Sequence, residues 1–392
     1  MPKKLFEGLK VADFTWVYAG PIATKMFAVY GAEVVKIETS TATMTQVGQV
    51  EPSYEQFNTN KLSLTLNLAK PEGVGVAKKL VAWADIVAQN MGAGAMERIG
   101  LGYEELRKVK PDIIMLSLSL QGQNGPHAAQ IGFGNLPTYL AGINEVTGWP
   151  DREAGELGPY ADFIAPPFCV LAVLAALEYR RRTGKGQHID LSMLEASIQF
   201  MAPIILDYTA NRRVAKRMGN RLSNAAPHGA YRCHGEDRWC AIAVFTDEEW
   251  ESFRKVIGTP SWTNDRRFDT LPARKENEDA LDQLVEEWTI NQSAEEVMTA
   301  MQTNGVAAGV LQNFKDLCHD PQLEHRHFSV NTEQSGENGW FRLIRPHLVL
   351  SKSQCEVRRS PMLGEHNEYV LKNILCMSDD EISELVIGGV IG

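Results

Sequence analysis

The first forty residues alternate between two hydrophobic patterns, and this alternation restricts the fold more than any other feature of the chain. A β-like run at residues 9–14 is followed by a turn at residues 19–21 and by a helical segment, residues 22–30, which ends at Gly31. A second β-like run occupies residues 33–38. Two strands joined by a helix of this length form a βαβ unit with parallel strands, so the sequence predicts a parallel sheet.

The same alternation continues along the first half of the chain. We predict further elements in this order: helix 73–84, strand 85–90, helix 103–109, strand 112–118, helix 168–182 and helix 191–208. Strand 112–118 is almost entirely apolar, which is typical of a strand that is covered on both faces of a parallel sheet. The predicted fold class is therefore α/β.

Length and composition indicate more than one domain. The chain of 392 residues is longer than one hydrophobic core usually supports, and its composition shifts near Arg212. Beyond that point we predict these elements: strand 239–245, helices 247–257, 276–289 and 294–304, strand 348–350 and a final helix 379–386. We expect a large domain at residues 1–211, a smaller α/β domain with its linkers at residues 212–333, and a C-terminal segment at residues 334–392.

Charge and composition exclude several classes of protein. The net charge is −10, which makes general binding of nucleic acid or of an anionic membrane unfavourable. No uninterrupted run of about 18 apolar residues occurs, and residues 1–10 lack the apolar core of a signal peptide, so we expect a cytoplasmic protein. The six cysteines are scattered, and the group formed by Cys318, His319, His325 and His327 lacks the tight ligand pairs of a structural zinc site.

The βαβ opening suggests a dinucleotide-binding protein, but the fingerprint of that class is missing. The first turn, residues 15–20, reads T-W-V-Y-A-G and lacks the glycines that let a pyrophosphate approach the backbone. Glu38 ends the second strand and could bind a ribose hydroxyl, which keeps an NAD- or FAD-dependent oxidoreductase as an alternative from another class. There is no P-loop and no G-x-S-x-G motif. Residue patterns alone therefore lead only to an α/β enzyme with a small second domain.

Many short segments, in order along the chain, resemble the class III CoA-transferase family of the CaiB–BaiF type. The most diagnostic segment is residues 174–187, LAALEYRRRTGKGQ. The other matching segments are residues 11–14, 19–21, 31–38, 60–61, 64–68, 84–85, 89–90, 190–193, 219–220 and 363–366. One such motif would be weak, but this ordered set extends from about residue 5 to the C-terminus.

The resemblance implies an unusual fold and a specific activity. In this family each subunit is an open ring, two subunits interlock, and the N- and C-terminal segments together form a Rossmann-like large domain. The implied activity is the transfer of CoA between an acyl-CoA and a carboxylic acid. The expected partner is a second subunit, in a homodimer or in a heterodimer with a related chain. CoA thioesters are substrates, and no metal or redox cofactor is implied.

Asp162 lies at the position that matches the nucleophile of the family, in Gly-Pro-Tyr-Ala-Asp at residues 158–162. A carboxylate can attack a thioester and form a mixed anhydride with release of the CoA thiolate. Pro166 and Pro167 are compatible with the start of the following helix, whose free N–H groups favour an anionic side chain nearby. Position alone would favour a simple helix-capping acid. Asp190, in a β-like run, is the rival carboxylate and is expected to be structural.

The resemblance also indicates residues that contact CoA. These are Trp16, Tyr18, Ala19, Leu66, Asn90, Met91 and Arg98. Arg98 suits a phosphate, because a guanidinium binds phosphate oxygens in pairs, although an arginine on a helix surface is often merely solvated. Trp16 and Tyr18 are equally compatible with a role in the core. A lone lysine such as Lys61 is usually just exposed.

Two departures from the family pattern bear on the substrate. Thr39 and Ser40 follow the second strand where members often carry a basic residue, so one contact to adenine or phosphate is in doubt. Residues 221–227 read R-L-S-N-A-A-P where oxalate-type members have a glycine-rich loop, which argues against oxalate and formate. The segment from Gly158 to Phe168 is similar to transferases that act on succinate-type acids such as benzylsuccinate, with succinyl-CoA as the donor. Phe133, Tyr139 and Trp149 could then line an apolar pocket.

Two further hypotheses remain open at this point. The family includes α-methylacyl-CoA racemases, whose catalytic histidine falls where this chain has Phe133, a side chain that cannot carry a proton. His127 and His228 are alternative bases, although each is more often an ordinary loop residue. The chain could also be one subunit of a heteromer, and the retained Asp162 argues against an inactive subunit.

Overall fold

The computed structural model describes residues 4–39, 52–333 and 340–392. Ser40, one of the two residues that depart from the family pattern, lies outside these ranges. The strands are β1 Lys10–Phe14, β2 Glu33–Glu38, β3 Leu62–Thr65, β4 Ile86–Gln89, β5 Ile114–Ser119, β6 His188–Ser192, β7 His228–Arg232, β8 Trp239–Ala243, β9 Ala307–Val310, β10 Ser329–Glu333 and β11 Trp340–Ile344.

Helices connect most of these strands. They are α1 Ala19–Val29, α2 Pro52–Phe57, α3 Pro71–Trp83, α4 Ala95–Arg98, α5 Tyr103–Val109, α6 Asn135–Leu140, α7 Ile143–Val146, α8 Ala161–Thr183, α9 Met193–Gln199, α10 Ala202–Asn211, α11 Asp247–Val256, α12 Leu271–Glu276, α13 Glu278–Thr289, α14 Ala294–Thr303, α15 Phe314–Leu317, α16 Pro321–His325, α17 Asn367–Tyr369 and α18 Asp379–Ile387. Short 3₁₀ turns at Ser261–Asn264 and Arg266–Phe268 and a π-helical turn at Val370–Ile374 complete the described helical elements.

The first six strands form one parallel sheet in the order β3-β2-β1-β4-β5-β6. The parallel sheet predicted from the opening βαβ pattern is confirmed, and its strand order is that of dinucleotide-binding folds. From β1 the chain adds β2 and β3 on one side and then β4, β5 and β6 on the other side, so the strand order reverses between β1 and β4. In such sheets ligands bind beyond the carboxyl ends of the strands at that point. The loops after Phe14 and Gln89 are therefore the first place to look for a site.

Apolar residues on the strands and surrounding helices hold this sheet together. Every residue of β5 is buried, as expected for a strand covered on both faces. Leu64, Leu80 and Leu106 are fully buried in the same hydrophobic cluster, and they come from β3, α3 and α5 respectively. Burial of a leucine side chain contributes about 1.5–3 kcal/mol, so this cluster stabilises the sheet and fixes where its strands end.

The described residues divide into two compact units. The first comprises residues 1–144, 156–215 and 322–392 and holds the parallel sheet. The second comprises residues 145–155 and 216–321. Its antiparallel sheet, β7-β8-β9, packs with α11, α13 and α14 around a separate core that includes Phe253 and Leu281.

The C-terminal segment covers the outer edge of β3. The amide of Thr65 donates to the Asn367 side chain at 2.8 Å, and the amide of Asn67 donates to the carbonyl of Val390 at 2.8 Å. Val390 and Ile391 are buried in the same cluster as the sheet. The first and last parts of the chain thus form one folding unit, and the covered edge leaves fewer backbone groups open to another strand.

Three predicted elements differ from the observed ones. Helix α8 begins at Ala161 rather than at residue 168, with Pro166 and Pro167 inside it. The predicted helix 191–208 is wrong, since β6 extends to Ser192 and two separate helices follow. The predicted strand 348–350 is irregular chain in the structure. Helix α8 starts early because the buried contacts of residues 161–165 outweigh the N–H donors that Pro166 and Pro167 lack. The helix 191–208 was mispredicted because a short apolar run does not distinguish a strand from a helix.

Helix α8 is long and apolar enough to cross a membrane by length and composition alone, within the part of the chain that is described. It packs against α1, β5 and α9, and less than half of its most apolar window, 44%, is buried. Core helices of α/β proteins pass the same test, so this is weak evidence for a membrane span. Among the described side chains, no group of three or more His, Cys, Asp and Glu could hold a metal ion.

Candidate active site

The loops after β1 and β4 are joined by one side chain. The Asn90 amide nitrogen donates to the carbonyl of Trp16, and its oxygen accepts from the amide of Trp16, each at 2.8 Å. Both backbone groups of Trp16 are therefore paired with a single planar group across the point where the strand order reverses. This double hydrogen bond brings two of the predicted CoA contacts together.

The turn that follows Trp16 ends at the first helix. Val17 has a φ of 63°, an uncommon left-handed conformation for a β-branched residue. Tyr18 precedes α1, so Ala19 is the first helical residue and its N–H has no partner within the helix. Free amides at a helix N-terminus carry partial positive charge and favour an anion.

Asp162 supplies that anion. It lies in the first turn of α8, is only 7% exposed, and its carboxyl group lies beside the backbone amide of Ala19. Burial raises the pKa of Asp162 to about 6, although the Ala19 amide opposes that rise. The carboxyl group is therefore buried, remains largely ionised at neutral pH, and is more basic than an ordinary aspartate.

Gly134 packs directly against the same carboxyl group. A Cβ atom at this glycine would lie 2.0 Å from Oδ2 of Asp162, which is far inside contact distance. Thr138 holds the two segments together: its hydroxyl donates to the carbonyl of Gly134 at 2.9 Å and accepts from the amide of Ala161 at 3.2 Å. Only glycine leaves room for Asp162 in this position.

Aromatic side chains line the neighbourhood of these loops. The rings of Trp16 and Phe133 meet edge to face with centroids 6.5 Å apart. The Phe57 ring contacts Tyr18 at 5.3 Å and Phe163, next to Asp162, at 6.2 Å. Trp16, Phe133 and Phe163 remain 40–54% exposed, so they form an apolar surface rather than core. Such a surface suits an aromatic or alkyl group of a ligand.

The remaining predicted CoA contacts lie at different depths. Met91 follows Asn90 and is partly buried, and its amide donates to the Gln89 side chain at 2.6 Å. Leu66 follows β3, two strands away from β1, and its side chain is 1% exposed in the core, so only its backbone can meet a ligand. Arg98 ends α4 and is exposed, and it forms no ion pair with a carboxylate of the described residues.

Lys61 was expected at the surface and is instead fully buried. Its ammonium group forms an ion pair with Asp13 at 3.0 Å, and neither side chain is exposed. Burial lowers the pKa of Lys61 to about 8, while the charge of Asp13 opposes that shift. The reason for the error is that a lysine gives no local sign of a partner that lies far away in sequence.

The residues considered for other chemistry occupy ordinary positions. His127 is an exposed loop residue, and His228 belongs to the second unit, where its Nδ1 contacts the carbonyl of Asn220 at 2.5 Å. Asp190 accepts hydrogen bonds from the amide of Gln123 and the side chain of Asn124, at 2.9 and 3.1 Å. Asp190 thus holds the loop after β5, as a structural residue does.

Sequence reasoning missed Gly134 and Thr138 as parts of the site. The one local signal was the pair of glycines flanking Phe133, Gly132 and Gly134, since closely spaced glycines often mark close backbone approach. Thr138 carries no comparable signal, because buried threonines are common in helices that pack against others.

The raised pKa of Asp162 predicts that replacing this residue stabilises the protein. The folded pKa of about 6 exceeds the unfolded value of 3.8, so ionisation costs stability as pH rises from about 4 to 6, and the full cost persists above that window. We expect Asp162→Asn to raise the free energy of unfolding at pH 7.5 by about 2–3 kcal/mol and to have no such effect near pH 3.5. Urea unfolding at both pH values measures this. Asp190→Asn, at an exposed carboxylate, is the control, and equal effects of Asp162→Asn at both pH values would contradict the prediction.

Comparison with known proteins gives a consistent result. The chain matches CoA-transferase family III over residues 6–367. A succinyl-CoA–D-citramalate CoA-transferase of Chloroflexus aurantiacus is 30% identical, with 98% of this chain and 97% of the relative covered. The beta subunit of a succinyl-CoA–L-malate CoA-transferase of the same organism is also 30% identical, with 96% of each chain covered. The human succinyl-CoA:glutarate CoA-transferase is 28% identical over 99% of this chain and 90% of its own.

A solved structure supports the same assignment. A CaiB/BaiF family protein from Brucella suis superposes with a TM-score of 0.88 and is 29% identical, covering 95% of this chain and all of that one, 100%. Rv3272 of M. tuberculosis, at 24% identity and a TM-score of 0.81, shares the fold. The family match extends over nearly the whole sequence, from before β1 to α17, and on this evidence the chain belongs to CoA-transferase family III.

Proposed function

We propose that this CoA-transferase moves CoA from succinyl-CoA to a carboxylic acid that bears an aromatic group, as in benzylsuccinate, with Asp162 as the nucleophile. The observation that carries the proposal is the carboxyl group of Asp162, which is buried beside the first amide of α1 and has a pKa raised to about 6. A nucleophile must be ionised and basic at the working pH, and this environment provides both properties.

The first half of the reaction loads CoA onto the enzyme. A carboxylate oxygen of Asp162 attacks the thioester carbon of the donor, the C–S bond breaks, and CoA leaves as a thiolate from a mixed anhydride. The thiolate then attacks the aspartyl carbonyl, the C–O bond of the anhydride breaks, and succinate leaves. Asp162 now carries CoA as a thioester. Each step replaces one anion by another, so no net proton transfer is needed.

The second half reverses these steps with the acceptor. The acceptor carboxylate attacks the aspartyl thioester and displaces the CoA thiolate, which forms a second mixed anhydride. The thiolate attacks the acceptor carbonyl, the new acyl-CoA leaves, and the Asp162 carboxylate is regenerated. Because thioesters are exchanged for thioesters, the protein contributes mainly positioning and stabilisation of the developing charge. The Ala19 amide is the donor that we assign to that charge.

The proposed CoA site follows the loops at the carboxyl edge of the sheet. Trp16, Tyr18, Ala19, Asn90 and Met91 lie in the loops after β1 and β4. Arg98 is exposed and free of carboxylate partners among the described residues, which suits a phosphate of CoA. Leu66 is proposed to contribute through its backbone.

The choice of substrates has two supports. The named relatives use succinyl-CoA with citramalate, malate or glutarate, which favours succinyl-CoA as the donor here. The exposed aromatic side chains beside Asp162 favour an acceptor with an aromatic group. The pKa of Asp162 is influenced by burial and by a backbone amide, with no charged side chain among its causes, which agrees with an apolar surrounding.

We also propose the assembly and organisation that the resemblance implies. Subunits with domains at residues 1–211 and 212–333 and a returning segment at 334–392 interlock in a cytoplasmic dimer. Large apolar side chains exposed on α8, directly after α9 and on α10 support a further subunit, for example Leu171, Phe200 and Leu206 at 63–66% exposure. One relative is named as a beta subunit, so the partner is either a second copy or a related chain.

Trapping the enzyme with its donor tests the nucleophile. We expect incubation with succinyl-CoA followed by hydroxylamine or borohydride to modify Asp162, because both reagents attack activated acyl groups. Peptide mass spectrometry locates the adduct. Asp190→Asn should be modified normally, whereas Asp162→Asn should not be modified anywhere. An adduct that survives in Asp162→Asn would overturn the assignment.

Adding one methyl group at Gly134 tests the close approach to Asp162. We expect Gly134→Ala to lower kcat/KM by at least about 100-fold, because the new Cβ would displace the carboxyl group from the Ala19 amide. Gly75→Ala adds the same methyl group in open space on α3 and should leave activity unchanged. Steady-state kinetics with succinyl-CoA measures both variants, and normal activity in Gly134→Ala would exclude a fixed carboxyl position.

A panel of acceptor acids tests the aromatic preference. We expect kcat/KM for benzylsuccinate to exceed that for citramalate, malate and glutarate by about tenfold or more, since an aromatic group adds apolar contact. Phe133→Ala should remove most of that preference and change the other acids little. A faster reaction with citramalate than with benzylsuccinate would contradict the aromatic preference and indicate a small hydroxy acid as the acceptor.

A further inference from the structure

A cluster of buried polar side chains lies next to the turn that carries the site. Asp13, at 0% exposure, accepts hydrogen bonds from the Thr15 amide at 2.9 Å, the Thr15 hydroxyl at 2.5 Å and the Thr24 hydroxyl at 2.7 Å. Lys61 completes its surroundings with the ion pair at 3.0 Å. The charge of Asp13 is thus fully satisfied, as a buried carboxylate requires.

Lys36 adds a second cation to this cluster, and it points to the backbone. It lies in the middle of β2, is 4% exposed, and donates from Nζ to the carbonyl of Thr15 at 2.7 Å. No salt bridge within 4.0 Å joins it to a carboxylate of the described residues. Burying an ammonium group for a backbone carbonyl is costly, and an apolar residue would cover the same surface without that cost.

The result is a turn whose backbone is held at two successive residues. Both backbone groups of Thr15 bond to side chains, Asp13 and Lys36, and both backbone groups of Trp16 bond to Asn90. Val17, the next residue in the sequence, has the left-handed φ of 63°. These contacts determine where the chain enters α1. That helix packs directly against α8, which carries Asp162, and its first amide lies beside the Asp162 carboxyl group.

We propose that Lys36 is a positioning residue for the nucleophile: by holding the Thr15 carbonyl it keeps the Ala19 amide on Asp162. Lys36 acts on Asp162 through the turn and touches no reacting atom. This inference rests on the proposed function in that it assigns a catalytic consequence to the contact. Its structural half, the dependence of the position of the Ala19 amide on Lys36, is tested without any substrate.

The Asp162 titration gives a readout that a merely structural role would not move. The difference in unfolding free energy between a protein and its Asp162→Asn partner, followed from pH 3 to 8, reports the pKa of Asp162 without any substrate. In the Lys36→Met background we expect that pKa to rise by about half a unit to one unit, because the Ala19 amide, which lowers it, moves away from the carboxyl group.

The matched control is the neighbouring buried lysine on α1. Lys25 is 7% exposed and donates to the carbonyl of Gln56 at 2.6 Å, so it does not contact residues 15–18 by that bond. Lys25→Met removes a positive charge from a similarly buried side chain and should leave the pKa of Asp162 unchanged. Kinetics add a second measurement: the acid limb of kcat/KM for succinyl-CoA should move upward in Lys36→Met by the same amount, with kcat lower by about 10- to 100-fold.

The possible outcomes distinguish a failure of the positioning role of Lys36 from a failure of the proposed function. A Lys36→Met protein that is less stable but titrates Asp162 like the parent overturns the proposal, as does an equal shift in Lys25→Met. A shifted titration in a parent protein that shows no transfer from succinyl-CoA supports the positioning role and rejects the proposed function instead. If Lys36→Met does not fold, Lys36→Gln, whose shorter neutral side chain draws its donor back from the Thr15 carbonyl, should raise the pKa of Asp162 in the same direction, and an unchanged pKa there overturns the proposal.

Discussion

One contact, between the Ala19 amide and the Asp162 carboxyl group, joins the two parts of the chain on which the candidate site depends. Ala19 begins the helix that follows the first strand, and Asp162 lies in the first turn of the long helix α8. Two helix N-termini therefore meet at one carboxyl group, and each contributes partial positive charge to an otherwise apolar region. The sheet order and the packing of α1 against α8 serve to hold this contact.

A buried carboxyl group of this kind represents a conflict between stability and chemistry. Removing a carboxylate from water raises its free energy, and the protein compensates only in part, with one amide rather than with a cation. The part of this free-energy cost that is not compensated keeps the carboxylate more basic than an exposed one. Gly134 belongs to the same arrangement, because any side chain there would occupy the position of the carboxyl group. Functional sites commonly retain such local costs.

The sequence predicted the sheet well, since strand and helix periodicities are local and strands β1, β2 and β5 each carry several apolar residues. The resemblance singled out Asp162 by its position in a family motif, whereas the structure draws attention to it by its burial and its raised pKa. What could not be predicted depends on distant pairs: Lys61 with Asp13, and Gly134 with Asp162. The boundaries of α8 were missed because proline is normally excluded from helix interiors, and only tertiary contacts make Pro166 acceptable.

The cover on the edge of β3 has a consequence for how the protein is made. β3 is translated well before the segment that covers it, because the amides of Thr65 and Asn67 find their partners in Asn367 and Val390, 302 residues later in the first case. The outer edge of β3 therefore stays uncovered while the second unit and the remaining helices are synthesised. Chaperone binding to that edge during translation, and the placement of any fusion at the C-terminus, therefore bear directly on the yield of folded enzyme.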